Sequence, residues 1–187
     1  MGAARLLAES KSAWTGTFIA LFQPAEELAD GARRMIEGGL AGMIPKPDAA
    51  LAQRVLAFPS GHLGTRPGAF LSNADSMRIT VFGRGSHGSM PQLSVDPVLL
   101  AASIALRLQT VVSREVTPGE FAVLTIGRLS TGTKSNIIYD RAVLELNIRT
   151  FDNDTRKLVL YAIRRIVSGE CSAAGSPKEC GTAPGAA

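Results

Sequence analysis

The stretch TFIALFQPAEE, residues 17–27, decides how the rest of the chain is interpreted. Its first six residues form an apolar run typical of a buried β-strand, and we predict a strand over residues 15–22. Pro24 ends that strand because proline has no N–H to donate to a sheet ladder. Glu26 and Glu27 follow where the strand leaves the sheet, which is the edge where open α/β sheets hold their functional sites.

The two adjacent carboxylates have two interpretations. Neighbouring negative charges are costly to bury unless a positive charge compensates them, and a metal ion would provide that charge. One carboxylate would then bind the metal while the other moves a proton on a metal-bound water. Alternatively, Glu26 and Glu27 only open the next helix, where acidic side chains suit the positive end of the helix dipole.

The segment after the acidic pair predicts a helix and a second strand. Apolar residues recur at helical spacing over residues 28–36, and the glycine pair at 38–39 predicts a left-handed helix end. Residues 49–56 are apolar enough for another strand. A strand, a helix and a strand in succession predict a βαβ unit and hence a parallel sheet. Because two strands cannot bury their faces alone, we interpret residues 1–67 as part of a larger α/β domain.

A second unit begins near residue 72, after a connector rich in glycine and proline. Alternation of apolar and polar residues predicts three strands, at 77–82, 120–128 and 143–149. Asp96 and Pro97 predict the start of a helix, and Asp152 is placed to cap a last helix that ends at Gly169. The order β-α-β-β-α predicts an open-faced sandwich of the ferredoxin-like type, one strand short of complete.

The end of the chain carries two cysteines and little else that indicates structure. Residues 173–187 have the glycine, proline, alanine and serine of a flexible tail, so we predict no strand there. Cys171 and Cys180 are compatible either with a disulfide or with two free thiols.

The composition of the chain argues against nucleic acids and membranes as its partners. The 187-residue chain has a net charge of +4 and 5% aromatic residues, and its Lys and Arg residues are scattered rather than clustered. This pattern argues against a nucleic-acid-binding surface. The N-terminus has no secretory apolar region, and the most apolar window is too short to cross a bilayer. We therefore expect a soluble, cytoplasmic protein with neither nucleic acid nor membrane as a partner.

Several motifs resemble those of one enzyme family. The sequences FQPAEE at 22–27 and MIEGGL at 35–40 resemble the zinc-dependent aminoacylase and hippurate hydrolase family, which is related to the carboxypeptidase-like amidohydrolases. The resemblance implies two divalent metal ions, zinc or else cobalt or manganese, and hydrolysis of an amide bond by a metal-bound water. It also implies that Glu26 is the general base and that Glu27 is a metal ligand.

Three further residues take roles by their position in this family. His87 lies in GRGSHGSMP at 83–91, and the resemblance implies that it stabilises the oxyanion, commonly in the partner protomer's site. Asn136 lies in GTKSNIIYD at 132–140, where the resemblance implies substrate binding. Arg149 ends a strand and is implied to clamp the substrate's carboxylate. Without the resemblance, the three would be a solvated loop histidine, a turn asparagine and a solvated arginine.

The chain also departs from the family pattern. A histidine metal ligand of the family is replaced by Arg54, whose guanidinium has no lone pair to offer a metal. His62 is by default a surface histidine and alternatively a replacement ligand. Tyr139 stands where the family usually has proline. The first metal-binding segment of the family and its last metal ligand are expected on either side of these 187 residues.

The resemblance implies a domain arrangement and a function. Residues 1–67 are expected to be part of a catalytic metallohydrolase domain, and residues 70–172 most of a lid domain that mediates dimerisation. We predict a homodimeric, metal-dependent amidohydrolase of N-acyl amino acids or related small amides, with this chain alone holding an incomplete site. The alternative is a truncated, inactive relative that acts as a dimerisation or amino-acid-binding module.

Overall fold

The computed structural model of the chain describes residues 2–25 and 30–185. These residues fall into two compact units, the first comprising those up to residue 58 and the second those from residue 59 onwards. No helix in the described residues is long and apolar enough to cross a bilayer.

The first unit is helical where it has regular structure. Helices α1 (Gly2–Glu9), α2 (Gly31–Glu37) and α3 (Leu40–Met43) are accompanied by the 3₁₀ turn Lys11–Ala13. The predicted stop at the glycine pair is confirmed, because Gly39 has φ 91° and its N–H bonds to the Ile36 carbonyl at 3.0 Å. Trp14 Nε1 donates to the Leu7 carbonyl at 2.9 Å, which holds the following chain against α1.

The two strands predicted for this unit are not formed by the described residues. Residues 15–22 and 49–56 have no strand partner there, so the predicted parallel sheet is not seen in this part of the chain. Phe18, Leu21 and Phe22 are 45%, 54% and 61% exposed, respectively. An apolar run favours a strand, but a strand also needs neighbours that satisfy its backbone N–H and C=O groups.

The second unit is an antiparallel sheet with two helices packed on one face. Its main elements are β1 (Asn73–Phe82), α4 (Pro97–Thr110), β3 (Ala122–Thr131), β5 (Arg141–Thr150), α5 (Asn153–Ala173) and β6 (Gly181–Pro184). Two short strands, β2 (Ser86–His87) and β4 (Ile137–Ile138), form a separate ribbon. The main sheet has the order β3-β5-β1-β6. The predicted mixed α/β class and ferredoxin-like open-faced sandwich are confirmed.

The core of this unit follows from alternation along the strands. In β5, Leu144 and Ile148 are fully buried, whereas Arg149 on the opposite face is exposed. The helices contribute matching apolar stripes, with Leu100, Ile104 and Leu108 from α4 and Val159, Ile163 and Val167 from α5. Burying each such side chain contributes roughly 1.5–3 kcal/mol. The predicted starts of α4 and α5 are also confirmed, because Asp96 accepts from Val98 N at 2.8 Å and Asp152 accepts from Thr155 N at 2.7 Å.

The prediction of a strandless tail is wrong for residues 181–184. Strand β6 pairs antiparallel with β1, with Met77 opposite Pro184 and Thr80 opposite Gly181. Cys171 of α5 forms a disulfide with Cys180, which directly precedes β6. Of the two alternatives that the sequence left open, a disulfide or two free thiols, the structure has the disulfide. The strand was missed because glycine, threonine, alanine and proline show no strand pattern. Pro184 is tolerated because β6 is an edge strand.

Candidate functional site

The motifs that contain His87 and Asn136 meet in the ribbon of β2 and β4. His87 pairs with Ile137 and Ser86 pairs with Ile138 in antiparallel register. The Gly88 N–H donates to the Asn136 carbonyl at 2.8 Å. The structure therefore places His87 and Asn136 side by side, although 48 residues separate them in the sequence.

Glycines allow the two strands of the ribbon to approach this closely. A Cβ atom on Gly85 would lie 2.8 Å from the Ile138 carbonyl oxygen, and one on Gly88 would lie 3.0 Å from the Asn136 carbonyl oxygen. Side chains at these positions would push the strands apart. Gly85 and Gly88 of the GRGSHGSMP motif are thus explained by backbone packing against β4 and the residues on either side of it.

The hydrogen bonds of His87 define its tautomer. Its imidazole is exposed, and its Nδ1 lies 3.2 Å from Ser89 N and 2.7 Å from Ser89 Oγ. Because a backbone N–H can only donate, Nδ1 must carry the lone pair, and the proton of the neutral ring is on Nε2. A ring whose Nε2–H is the donor has the form needed to stabilise a developing oxyanion.

The Asn136 loop is closed by Tyr139. The Tyr139 Oη lies 2.7 Å from Thr133 Oγ1. This hydrogen bond, with those from the backbone N–H groups of Thr133 and Lys134, lowers the pKa of the Tyr139 phenol from its usual value near 10.0. Asn136 itself is exposed at the tip of this loop. Sequence reasoning noted Tyr139 only as a replacement for proline and missed its contacts.

Arg149 is not brought to this ribbon within one chain. It lies near the far end of β5, on the face away from the helices, where its Nε donates to Asn147 Oδ1 at 2.8 Å. Arg141 begins β5 next to the ribbon, and eight residue steps along an extended strand correspond to roughly 26 Å. One small substrate cannot bridge that separation in a single protomer.

The acidic pair Glu26 and Glu27 lies outside the described residues. Two residues that flank the pair are in contact. The Pro24 carbonyl lies directly against Gly31, where a Cβ atom would not fit. Asp30 bonds to the guanidinium groups of Arg33 and Arg34, and the Arg33 bond is the main cause of its lowered pKa. Asp30 was not a predicted site residue, and these ion pairs explain it as the half-buried anchor of the first turn of α2.

The positions weighed as metal ligands lie on exposed backbone. Arg54 and His62 are both exposed. His62 Nδ1 lies 3.2 Å from the Pro59 carbonyl, which can only accept, so Nδ1 is the protonated nitrogen. Within residues 2–25 and 30–185, no three His, Cys, Asp or Glu side chains form a group able to hold a metal ion.

Known proteins resemble this chain over most of its length. The peptidase dimerisation domain family matches residues 71–174, which cover the second unit from before β1 to the end of α5. The chain is 35% identical over 186 residues to an N-acetylcysteine deacetylase of Bacillus subtilis, covering 96% of this chain and 47% of that protein. It is 38% identical over 168 residues to a hippurate hydrolase of Campylobacter jejuni, covering 89% and 43%.

A solved structure gives the same assignment. A dinuclear metal binding peptidase of the M20 family from Bacillus subtilis superposes with a TM-score of 0.64 at 28% identity, covering 97% of this chain and 44% of that one. The chain thus spans less than half the length of each of these three proteins. The match over more than half of its residues shows that the chain belongs to the M20 peptidase family and contains its dimerisation domain.

Proposed function

We propose that this chain is part of a homodimeric amidohydrolase that cleaves the amide bond of N-acyl amino acids. The observation that carries the proposal is the β2–β4 ribbon, which holds His87 and Asn136 side by side. The relatives support the substrate class, because one is named for deacetylation of N-acetylcysteine and another for hydrolysis of hippurate.

Each described residue has a distinct part in this proposal. The Nε2–H of His87 donates to the oxygen that becomes negative as water adds to the amide carbonyl. The Asn136 side chain can donate and accept, so it orients the substrate beside that histidine. Arg149 pairs with the substrate's carboxylate through its planar guanidinium.

A homodimer accounts for the separation of Arg149 from the ribbon. Strand β3 is an edge of the main sheet and runs antiparallel to β5. Two copies related by a two-fold axis that passes through this edge, perpendicular to the strands, would bring opposite ends of their sheets side by side. Arg149 of one protomer would then approach the end of the sheet at which the partner carries its ribbon.

The metal part of the proposal draws on residues outside the described ranges. Glu26 as general base and Glu27 as ligand to a divalent ion, zinc or else cobalt or manganese, follow from the family resemblance. The described residues do not fit a metal centre by themselves, since they contain no ligand cluster and Arg54 cannot coordinate.

The test is hydrolysis of N-acetyl and N-benzoyl amino acids, with added zinc, cobalt or manganese, by the whole enzyme of which we propose this chain to be part. We expect turnover, and we expect His87→Gln to lower kcat by about 100-fold because an oxyanion donor is lost. Glu26→Gln should remove turnover. The control is Gln109→Ala, which removes an exposed polar side chain of α4 and should leave kcat and KM unchanged. Equal rates in the wild type, Glu26→Gln and His87→Gln would refute the proposal.

A second candidate is an amino-acid-binding module without turnover. The observations that favour it are Arg54 at the family's ligand position and the exposed guanidinium of Arg149 on the open face of the sheet. Elemental analysis and calorimetry separate the two candidates. Metal bound in stoichiometric amount argues for the hydrolase, whereas amino-acid binding without metal, abolished by Arg149→Gln, argues for the module.

A further inference from the structure

We propose that Tyr139 is the positioning residue that fixes the Asn136 loop against His87. The inference rests on the proposed function for the role of Asn136 as a substrate ligand. It assigns to Tyr139 no contact with the substrate. Its basis is a set of contacts that join the two ends of the loop.

The first contact is between the Tyr139 ring and the start of the loop. Gly132 has φ 52°, and a Cβ atom there would lie 2.5 Å from Cδ2 and 2.7 Å from Cε2 of Tyr139. The ring therefore rests directly on the backbone of Gly132, which must be glycine for both its conformation and its lack of a side chain. Residues 132 and 139 are held in contact by this packing.

The second contact is polar and lies one residue further along. The Tyr139 Oη is 2.7 Å from Thr133 Oγ1, and the backbone N–H groups of Thr133 and Lys134 also act on the phenol oxygen. These groups lie in the part of the loop before Asn136, whereas Tyr139 lies after it. The phenol thus ties the two sides together across the base of the loop.

The loop closed by Tyr139 carries Asn136 directly onto β2. Ile137 and Ile138 pair with His87 and Ser86, and the Gly88 N–H bonds to the Asn136 carbonyl at 2.8 Å. The two-residue ladder is too short to define the loop by itself, because isolated two-stranded pairings are marginally stable. Tyr139 supplies the missing constraint at the end of β4.

A tyrosine constrains this loop in a different way from the proline that the family usually has. Proline restricts the loop by fixing its own φ angle. Tyrosine leaves its φ free but adds a ring contact and a hydroxyl group that spans the loop. The chain therefore replaces a local backbone restriction with a cross-loop clamp made of Gly132, Thr133 and Tyr139.

The test compares Tyr139→Phe, Tyr139→Ala and Tyr139→Pro in the whole chain. Tyr161→Phe, at the other tyrosine of the chain, is the matched control because that side chain is 67% exposed on α5. The first readout is amide hydrogen exchange, which needs no activity. We expect Tyr139→Phe to speed exchange at Gly88 about fivefold, with a larger effect for Tyr139→Ala and none for Tyr161→Phe.

The second readout separates positioning from general stability. Because Asn136 is proposed to hold the substrate, Tyr139→Phe should raise KM several-fold while kcat stays within about twofold. Tyr139→Pro should restore KM towards the wild-type value. Gly88 exchange that is unchanged in Tyr139→Ala would overturn the inference, and so would an unchanged KM in an active Tyr139→Phe enzyme.

The two readouts also distinguish this inference from the proposed function. If the whole enzyme that contains the wild-type chain hydrolyses no N-acyl amino acid, the proposed function fails. The exchange rate at Gly88 then decides by itself whether Tyr139 holds the loop against His87.

Discussion

Thr150 is the one buried polar residue in the core of the described chain. Its side chain is fully buried at the end of β5, and its Oγ1 has no hydrogen-bond partner among the described residues. Its position continues the inward-facing series of Leu144, Leu146 and Ile148. A buried hydroxyl without a partner loses its hydrogen bonds to water and gains nothing in return.

We therefore predict that Thr150→Val stabilises the chain. Valine has nearly the same shape without the hydroxyl, so the free energy of unfolding should rise by about 1 kcal/mol in urea denaturation. The control is Thr80→Val, a half-buried position on the opposite face of β1, where no such gain is expected. A loss of stability in Thr150→Val would show that the hydroxyl has a partner in solution.

The sequence predicted those features of single residues that depend on their near neighbours in the chain. It did not predict contacts between residues far apart in sequence. Asp96 and Asp152 were recognisable as helix caps because the cap, the first turn and the apolar stripe lie within a few residues. The neighbourhood of His87 and Asn136 depends on a two-residue ladder between segments far apart in sequence. No periodicity encodes that pairing, so only the family resemblance indicated that the two residues act together.

The capping carboxylate of helix α5 makes the stability of the folded state depend on pH. Asp152 accepts from the backbone N–H groups of Thr155 and Asp154, and the Thr155 bond is the main cause of its lowered pKa. A carboxylate whose pKa is lower in the folded state stabilises that state above its unfolded pKa, near 3.8. This stabilisation is lost as pH falls through the lower, folded value.

We predict that Asp152→Asn makes the stability of the chain less dependent on pH under acidic conditions. Asparagine still caps a helix but does not titrate, so the variant should lose less stability than the wild type between pH 5 and the acid transition. The measurement is thermal unfolding followed by circular dichroism across that range. Asp48→Asn, an exposed carboxylate in irregular backbone, serves as the control. Parallel curves for the wild type and Asp152→Asn would contradict the assignment.

Strand β6 depends on a covalent link more than on its sequence. It has four residues, and its ladder with β1 is extended by a Gly185 N–H bond to the Ser76 carbonyl at 2.8 Å. Near its start, Ser176 Oγ donates to the Phe82 carbonyl at 2.6 Å. The disulfide then holds Cys180 within 6.4 Å of Cys171, measured between Cα atoms. Pattern reasoning looks for side-chain alternation and so cannot find a strand held in this way.

We predict that removing the disulfide detaches β6 while the rest of the sheet stays folded. Closing so short a loop is worth about 2–3 kcal/mol in the chain-entropy account. Cys171→Ser with Cys180→Ser, or reduction of the wild type, should lower the unfolding free energy by that amount. Amide exchange should rise at residues 181–183 and stay slow in β5. Slow exchange at residues 181–183 after reduction would show that the ladder alone suffices.

At the scale of the whole molecule, the two units differ in how they are stabilised. The second unit has a continuous apolar core between its sheet and helices. In the described part of the first unit, Gly31 alone is buried. The sequence pattern predicted strands in both units, but among the described residues only the second unit contains the partner strands that allow the apolar side chains to be covered.

We predict two separate unfolding transitions. Trp14 is the single tryptophan of the chain and lies in the first unit, so its fluorescence reports that unit. Its fluorescence should change at a lower urea concentration than the far-ultraviolet circular dichroism, which is dominated by α4, α5 and the sheet. Coincident transitions for both signals would mean that the two units unfold as one.

The position of β6 beside β1 has a mechanical consequence. Asn73 begins β1, and Pro184 ends β6 opposite Met77. The chain therefore enters β1 and leaves β6 at the same end of the sheet. A force applied between these two points would not shear the ladder but would peel β6 away one hydrogen bond at a time, starting from that of Gly185. The peeling would stop at Cys180, where the bridge to α5 passes the load directly to the longest helix of the unit.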